Sequence, residues 1–302
     1  MKKIIISGHK GKLGNSIINN LKQSQNSFLI YVLDRNLNLK NYYDDSEIID
    51  QNKVYENSYI INCAGETNNK DSMLEANYFY PIKILKKIED KNISRFIHIS
   101  SVGSFGARRF AGEIDEKFKY LRSKNFYEYT KAKFDKYITS KSYKFSYSIL
   151  FPSNIIFDED IPFKNFIKIL KICFPKIYGQ DGWLNFIHSD GVIEIIKKLI
   201  KEDISYQKII INSPETYRES AKIISNLYGI NLRSIYIPKI VAEFVYLLFN
   251  FLSFLGLSRF KLISNRIYEM HNNVFFISMY DDINLTCKSY GINYIFKNSD
   301  YN

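Results

Sequence analysis

The chain has 302 residues, enough for two structural units or for one large unit with an appended lobe. Its 46% hydrophobic and 24% charged residues are typical of a folded globular protein and exclude a wholly disordered, collagen-like or coiled-coil chain. The formal net charge is +11, but the lysines are scattered along the chain rather than gathered in a stripe or tail. We therefore expect no nucleic-acid partner, while the charge remains compatible with a phosphate-bearing ligand.

The cysteines and histidines are too isolated from one another to form a disulfide framework or a metal site. The apolar run Ile4–Ile6 is too short for the core of an export signal. These features predict a reducing, cytoplasmic location and no bound metal. The residues concerned are Cys63, Cys173 and Cys287, and His9, His98, His188 and His271.

Short apolar runs alternate with amphipathic stretches along the first half of the chain. This alternation requires crossover connections, so it predicts an α/β fold with a doubly wound, mostly parallel sheet between two layers of helices. The predicted strands are Lys3–Ser7, Phe28–Asp34, Ser58–Ala64, Arg95–Ser101 and Phe145–Phe151. The predicted helices are Leu13–Lys22, Met73–Glu89 and Asn125–Ser140.

A glycine-rich loop joins the first predicted strand to the first predicted helix. Its G-x-x-G-x-x-G pattern suits a tight turn, the close approach of a pyrophosphate and the packing of a helix on a strand. We predict that the loop binds a dinucleotide; the alternative is an ordinary strand-to-helix turn. The residues expected to contact the dinucleotide are Gly8, Lys10, Gly11, Leu13 and Gly14.

The second predicted strand ends at Asp34 and Arg35, near the place where dinucleotide-binding folds carry a ribose-binding acid. A carboxylate there suits the ribose hydroxyls of NAD and repels the 2′-phosphate of NADP. Lys10 and Arg35 offer such a phosphate a countercharge, so NAD is only slightly preferred. The other interpretation of Asp34 is a surface residue that ends a strand.

Two overlapping Y-x-x-x-K pairs lie on the third predicted helix, Tyr127 with Lys131 and Tyr129 with Lys133. Residues four apart share a helical face, so we expect the ammonium to lower the pKa of the phenol toward the range of an acid/base group. The spacing alone is not specific in a chain so rich in Tyr and Lys. Ser101 lies at the carboxyl end of a predicted central strand, where side chains of such folds face the ligand crevice. The alternative is an ordinary strand-end hydroxyl.

After Pro152 the pattern changes to helices with few strands, which predicts a smaller, mostly helical second lobe. We expect a dinucleotide-binding domain over 1–157 and a substrate-binding lobe over 158–302, with a strand near 208–213 returning to the sheet. In this lobe the apolar run Ile240–Leu257 is interrupted by polar residues, and a bilayer span needs about 20 apolar residues. We expect a buried or subunit-facing helix, with a peripheral membrane contact as the alternative.

In their order along the chain, these motifs resemble those of the extended short-chain dehydrogenase/reductases, in the nucleotide-sugar epimerase/dehydratase branch. The resemblance spans nearly the whole chain and implies a Rossmann fold with a substrate lobe and a homodimer. The matching segments are 8–14, Asp34, Asn62–Gly65, Asn77, Ser100–Ser101, Tyr127, Lys131, Leu150–Asn154 and Phe186–Val192.

The resemblance also implies roles for individual residues. Tyr127 would be the general acid/base, Lys131 would hold the nicotinamide ribose and lower the Tyr127 pKa, and Ser101 would position the reacting oxygen of the substrate. Thr130, directly before Lys131, favours this pair over Tyr129 with Lys133. Asn154 would contact the substrate sugar or simply cap a strand. The further residues expected at the cofactor are Ala64, Gly65 and Pro152.

Several positions depart from the family pattern. Val102–Gly103 replaces the acid pair of the 4,6-dehydratases, so we do not expect that reaction. Phe151 and Leu184 stand where the resemblance implies arginines that bind the substrate diphosphate. The cations that would compensate are Arg108, Arg109, Arg218 or Arg266.

The sequence therefore predicts an NAD(P)-dependent oxidoreductase that acts at carbon 4 of a nucleotide-activated sugar, as an epimerase. By family analogy it would serve surface polysaccharide synthesis. One alternative is an NAD(P)H-dependent nucleotide-4-keto-sugar reductase, which uses the same three residues. An alternative of another class is a non-catalytic sensor that binds a dinucleotide.

Overall fold

A parallel sheet forms the centre of the fold in this computed structural model, and two small sheets lie beside it. The structure describes residues 1–23, 28–44, 50–107, 112–159, 182–202, 204, 206–228, 239–256 and 274–298. Cys173, Arg108, Arg109, Arg266 and His271 thus lie outside the described residues. The strands are β1 Lys2–Ser7, β2 Phe28–Leu33, β3 Leu39–Asn41, β4 Ser58–Asn62, β5 Arg95–Ile99, β6 Glu113–Ile114, β7 Ser146–Pro152, β8 Asn154–Ile156, β9 Trp183–His188, β10 Lys208–Ile211, β11 Ser213–Thr216 and β12 Phe275–Phe276.

The central sheet has the strand order β3–β2–β1–β4–β5–β7–β10 within the described residues. Its strands pair in parallel except β3, which runs antiparallel to β2 at one edge. The chain builds outward from β1 in both directions, so a crevice opens at the carboxyl ends of β1 and β4. The structure therefore confirms the predicted doubly wound α/β fold.

Helices cover both faces of this sheet. The helices of the described residues are α1 Lys12–Gln23, α2 Gln51–Tyr55, α3 Lys70–Leu74, α4 Tyr80–Ile88, α5 Phe126–Thr139, α6 Ser189–Lys201, α7 Tyr217–Tyr228, α8 Lys239–Phe254, α9 Asp281–Ser289 and α10 Ile292–Asn298. Side chains alternate across each strand, so β1 contributes to two cores: Ile4 and Ile6 pack with α1 and α6, and Ile5 packs with α4 and α5. This double burial explains why the central strands have nearly continuous apolar sequences.

The helix predicted as one piece over Met73–Glu89 is divided in the structure. A wide π-type turn at Glu75–Phe79 separates α3 from α4. Pro81 has no N–H to donate to the carbonyl of residue 77, so the regular hydrogen-bond ladder cannot continue through this point. The wide turn carries Asn77, which is fully buried.

The second half also contains short strands that lie outside the central sheet and that the sequence did not predict. Strands β8, β9 and β11 form a small separate sheet, and β12 pairs with β6. Most residues of β9 and β11 are only half-buried and their sequences mix polar with apolar residues, so they lack the apolar run that marks a central strand. The short edge strand β3 was not predicted for a similar reason, since it has three residues.

The strand expected near 208–213 is present as β10, which pairs in parallel with β7. The helix that leads to it, α6, buries Ile193 and Ile196 in the same core as α1. Residues 189–211 thus build the sheet and its cover, although they follow the expected boundary at 157. The division of the chain into two domains remains a prediction.

The apolar segment that begins at Ile240 forms α8, but the expected burial is not observed. Its described side chains are half-buried or exposed, with Ile240 81%, Phe244 66% and Phe254 87% exposed. None of the described helices is both long enough and apolar enough to cross a bilayer. Leu257 lies outside the described residues.

Candidate active site

The glycine loop forms a tight turn against the end of β4. Gly8 has a φ of +74°, and a Cβ there would lie 2.5 Å from the backbone nitrogen of Ala64. A Cβ on Gly14 would lie 2.4 Å from the carbonyl oxygen of Gly8, which also accepts a hydrogen bond from the Gly11 N–H at 3.0 Å. Side chains are excluded at these two positions, so the loop presents bare backbone at the start of α1, as a pyrophosphate site requires.

The other predicted residues of the loop differ in their surroundings. Lys10 is exposed, whereas Leu13 is half-buried and packs on the apolar core beneath α1. Lys10 is therefore accessible to a ligand phosphate, and Leu13 contributes to the position of the helix.

Asp34 stabilises the turn between β2 and β3. Its carboxylate accepts hydrogen bonds from the backbone N–H groups of Asn36 and Asn38, each at 2.8 Å, and from the Asn38 side chain at 3.2 Å. Burial opposes ionisation, but these hydrogen bonds outweigh it and lower the pKa of Asp34. The carboxylate is thus ionised and already holds three donors, while the neighbouring Arg35 is exposed.

Gly65 lies between the glycine loop and α5. A Cβ on Gly65 would lie 3.2 Å from both the Asn77 Oδ1 and the Lys131 Nζ. Asn77 holds this segment in place: its Oδ1 accepts from the Glu66 N–H at 2.9 Å, and its Nδ2 donates to the Glu66 carbonyl at 2.9 Å and to the Thr130 hydroxyl at 3.0 Å. The π-type turn thus places one amide side chain where it joins the β4 loop to α5.

Ser101 and Tyr127 meet at the carboxyl end of β5. Asn125 caps α5 by accepting a hydrogen bond from the Glu128 N–H at 2.8 Å, which fixes the first turn of the helix and with it Tyr127. Ser101 starts a short 3₁₀ turn at Val102–Phe105 and accepts from the Gly103 N–H at 3.2 Å. The side chains of Ser101 and Tyr127 line the same cavity, and the Ser101 hydroxyl lies close enough to affect the pKa of the Tyr127 phenol.

Lys131 lies one turn further along α5 and is 5% exposed. Its Nζ donates to the carbonyl of Ile99 at 2.9 Å. Burial lowers the pKa of Lys131 to about 8, against the opposing effect of Asp135 and Cys63. The amino group therefore changes its charge in the range where enzymes usually work.

The expected lowering of the Tyr127 pKa by Lys131 is not observed in this structure. Burial raises the pKa of the Tyr127 phenol; the Ser101 hydroxyl lowers it in part, and the charges of Asp135 and Glu128 add to the rise. The spacing of the pair can be seen in the sequence, but the depth at which the phenol is buried cannot, and burial is the larger effect here.

The second Y-x-x-x-K pair points away from this site. Tyr129 is 47% exposed, and the Lys133 Nζ lies over the rings of Tyr78 and Tyr129 at 4.3 Å and 5.8 Å. This arrangement supports the choice of Tyr127 and Lys131.

A cavity of about 610 Å³ opens over these residues. Glu66, Thr67 and Lys70, which were not predicted as site residues, also line it. Glu66 and Thr67 lie in the loop after β4 and Lys70 begins α3; this segment has no recognisable motif, so only the fold brings it to the crevice. The predicted residues in the cavity wall are Gly65, Ser101, Tyr127, Lys131, Pro152 and Asn154.

Of the positions considered for the substrate diphosphate, the structure describes Phe151, Leu184 and Arg218. Phe151 is fully buried and packs on Phe105, with ring centroids 4.7 Å apart, so this position serves the core. Leu184 lies in β9, and Arg218 is exposed on α7. Asn154 uses its amide to donate to the Asn185 carbonyl at 3.0 Å, which joins β8 to β9.

A model of the NAD dependent epimerase/dehydratase family matches residues 4–168 of the chain. The chain belongs to this family. The match confirms the resemblance found in the sequence, and the residues of the candidate site from Gly8 to Asn154 fall within the matched range. No curated protein matches this family member.

Solved structures of similar fold include nucleotide-sugar enzymes. UDP-glucuronic acid 4-epimerase from Bacillus cereus, in complex with NAD, is 16% identical over 78% of this chain and 86% of that chain, with a TM-score of 0.57. UDP-N-acetylglucosamine 4-epimerase from Methanobrevibacter ruminantium is 21% identical over 78% and 85%, with a TM-score of 0.56. A dTDP-4-dehydrorhamnose reductase from Clostridium acetobutylicum is 19% identical over 78% and 83%, with a TM-score of 0.55. At these identities the similarity establishes the fold.

Proposed function

We propose that the protein is an NAD(P)-dependent oxidoreductase that acts at carbon 4 of a nucleotide-activated sugar, as an epimerase. The observation that carries this proposal is that Ser101 and Tyr127 lie in the wall of one cavity together with Lys131 and Gly65. Family membership supports the cofactor class, and the two similar 4-epimerases support the substrate class.

The residues present fit a nicotinamide dinucleotide. Gly8 and Gly14 exclude side chains from the loop in front of α1, so backbone N–H groups and the positive end of the helix would hold the pyrophosphate. Lys131, beside Gly65, would hold the ribose next to the nicotinamide. When bound, this cofactor supplies a hydride acceptor and a hydride donor.

The chain's own residues would handle the proton. A sugar hydroxyl placed between Ser101 and Tyr127 would donate its proton to the ionised phenol during oxidation and regain it during reduction. Because burial raises the pKa of Tyr127, the phenol is protonated at neutral pH in the chain alone. Its ionisation therefore depends on positive charge nearby, which the protonated Lys131 supplies in part.

The direct test is to incubate the purified protein with a panel of nucleotide sugars, without added reductant, and to follow epimers at carbon 4 by NMR. Conversion of at least one sugar, with no net consumption of dinucleotide, is the expected result. A bound dinucleotide that shows no redox change with any sugar or 4-keto sugar would contradict the proposal and favour the sensor function.

A 4-keto-sugar reductase is the second candidate, and the surroundings of Asp34 favour it. The Asp34 carboxylate is engaged by the turn at Asn36 and Asn38, while Lys10 and Arg35 are exposed near the same crevice and suit the 2′-phosphate of NADP. Stoichiometric oxidation of NADPH by a 4-keto sugar, without epimerisation, would identify this activity. Comparison of NADH with NADPH in the same assay decides the cofactor preference.

A further inference from the structure

Tyr127, Lys131 and Asp135 form one stripe along α5, since they are spaced by four residues. Consecutive residues at the end of β5 contact the members of this stripe. The Ile99 carbonyl accepts from Lys131 at 2.9 Å, the Ser100 hydroxyl donates to Asp135 at 2.7 Å, and Ser101 lines the same cavity as Tyr127. The third member of the stripe, Asp135, has no role in the proposed function.

Asp135 is a fully buried carboxylate. It is 0% exposed, and its second oxygen, Oδ1, faces the Nε2 of His98 at 4.0 Å. The Nδ1 of His98 accepts a hydrogen bond from the Asn62 amide at 2.9 Å, so the proton of the neutral imidazole lies on Nε2 and points toward Asp135. A buried carboxylate is costly unless a nearby positive charge and hydrogen bonds compensate it.

We propose that Asp135 is a positioning residue of the site: its buried carboxylate, held by Ser100, is the counter-charge that keeps the Lys131 amino group protonated beside the Ile99 carbonyl and the cavity. The catalytic consequence rests on the proposed function: a protonated Lys131 favours the ionisation of Tyr127, and a neutral Lys131 does not. The charge relation between Asp135 and Lys131 is independent of that function.

The electrostatics of the described residues agree with this assignment. Burial raises the pKa of Asp135 to about 6, while the Ser100 hydrogen bond and the charges of Lys131 and Lys208 lower it. Burial lowers the pKa of Lys131, and the charge of Asp135 is the largest opposing effect. Above about pH 6 the carboxylate is therefore ionised and supports the ammonium.

Other titratable groups also face this pair. Burial, with a smaller effect of Lys131, holds the pKa of His98 well below its usual value, so the imidazole is neutral at working pH. Burial raises the pKa of Cys63 to about 12, so its thiol is neutral too. Burial raises the pKa of both Tyr127 and Tyr120, and the charge of Asp135 raises it further. Both phenols therefore stay protonated. Among these groups Asp135 is the one that brings a negative charge near Lys131 at neutral pH.

The decisive experiment compares the pH dependence of kcat in the wild type, Asp135→Asn and Asp135→Glu. Asn keeps the shape and can still accept from Ser100, so only the charge is lost. The alkaline limb of the profile is expected to move toward lower pH by about one unit or more in Asp135→Asn and to return toward the wild type in Asp135→Glu. Asp90→Asn, at an exposed carboxylate, is the matched control. A lower kcat with an unshifted limb in Asp135→Asn would mean a merely structural role and overturn the proposal.

A second experiment needs no substrate and so separates this proposal from the proposed function. A double-mutant cycle of Asp135→Asn and Lys131→Met is measured by urea unfolding at pH 7. The two substitutions are expected to be strongly non-additive, because each leaves the other charge buried and unpaired. Additive effects would contradict the charge relation, whatever the enzyme assays show. Non-additive effects without any turnover would leave the charge relation supported and place the failure with the proposed function.

Discussion

Gly8 and Ala64 lie in direct backbone contact. A Cβ on Gly8 would stand 2.5 Å from the Ala64 nitrogen and 2.7 Å from its Cα. This contact joins the glycine loop after β1 to the segment after β4, and the next residue of that segment, Gly65, lies beside the Lys131 amino group. The glycine loop and α5 are therefore positioned through two adjacent residues, Ala64 and Gly65.

Replacing Gly8 with Ala tests this contact. The new side chain meets backbone that cannot move aside, and the φ of +74° adds strain, so we expect a loss of about 2–4 kcal/mol in the free energy of unfolding and weaker dinucleotide binding. Gly112→Ala is a matched control, because Gly112 also has a positive φ, +72°, but a Cβ there meets nothing within 4 Å. Urea unfolding and NADH fluorescence measure the two effects. Equal losses in both variants would show that the contact with Ala64 is unimportant.

The buried amide of Asn77 is expected to be important for stability. Asn77→Ala removes three hydrogen bonds and leaves the Glu66 backbone and the Thr130 hydroxyl without these partners, so the free energy of unfolding should fall by about 2–3 kcal/mol. Asn52→Ala, at an exposed site on α2, should change it by less than about 0.5 kcal/mol. A similar small change in both would contradict the role assigned to the π-type turn.

The pH dependence of stability should reveal the buried carboxylate. Burial raises the pKa of Asp135 from 3.8 to about 6, so the folded protein binds a proton more readily than the unfolded chain between these values. The stability of the wild type relative to Asp135→Asn should therefore increase as the pH falls from about 6 toward 4.

Asp190 provides a comparison of opposite sign. A hydrogen bond with His188 lowers the pKa of Asp190, so its stabilising contribution is present above pH 3.8 and is lost as the pH falls further. The stability of the wild type relative to Asp190→Asn should thus decrease with acid. Parallel slopes for the two variants in urea unfolding would contradict these assignments.

The exposed face of α8 makes the expected membrane contact testable. Apolar side chains that are 59–81% exposed recur at helical spacing: Ile240, Phe244, Leu247 and Phe251. The polar side chains of Glu243, Asn250 and Ser253 are half-buried. Because the protein also has a net charge of +11, we predict that it sediments with anionic liposomes. The double variant Phe244→Ser/Phe251→Ser should lose this binding. If the substitutions leave the sedimentation with liposomes unchanged but dissociate a dimer of the protein, α8 would instead be the subunit contact.

The sequence was sufficient where one local pattern determines one structure. The apolar runs of β1, β4, β5 and β7, the glycine loop and the helix α5 were predicted to within a few residues, because burial on both faces and the spacing of glycines leave few alternatives. The raised pKa of Tyr127 and the burial of Asp135 depend on contacts between distant segments. Asp135 lies four residues after Lys131, but the sequence has no sign that both face the end of β5.

The roles of Ser101, Tyr127 and Lys131 remain predictions, and Tyr127→Phe tests the central one most directly. The substitution removes the hydroxyl that contacts Ser101 and leaves the ring, so turnover of any accepted nucleotide sugar should fall at least 100-fold while dinucleotide binding persists. Tyr129→Phe, four residues from Lys133 and 47% exposed, should retain wild-type turnover. Full activity in Tyr127→Phe, or its loss in Tyr129→Phe alone, would contradict the proposed mechanism.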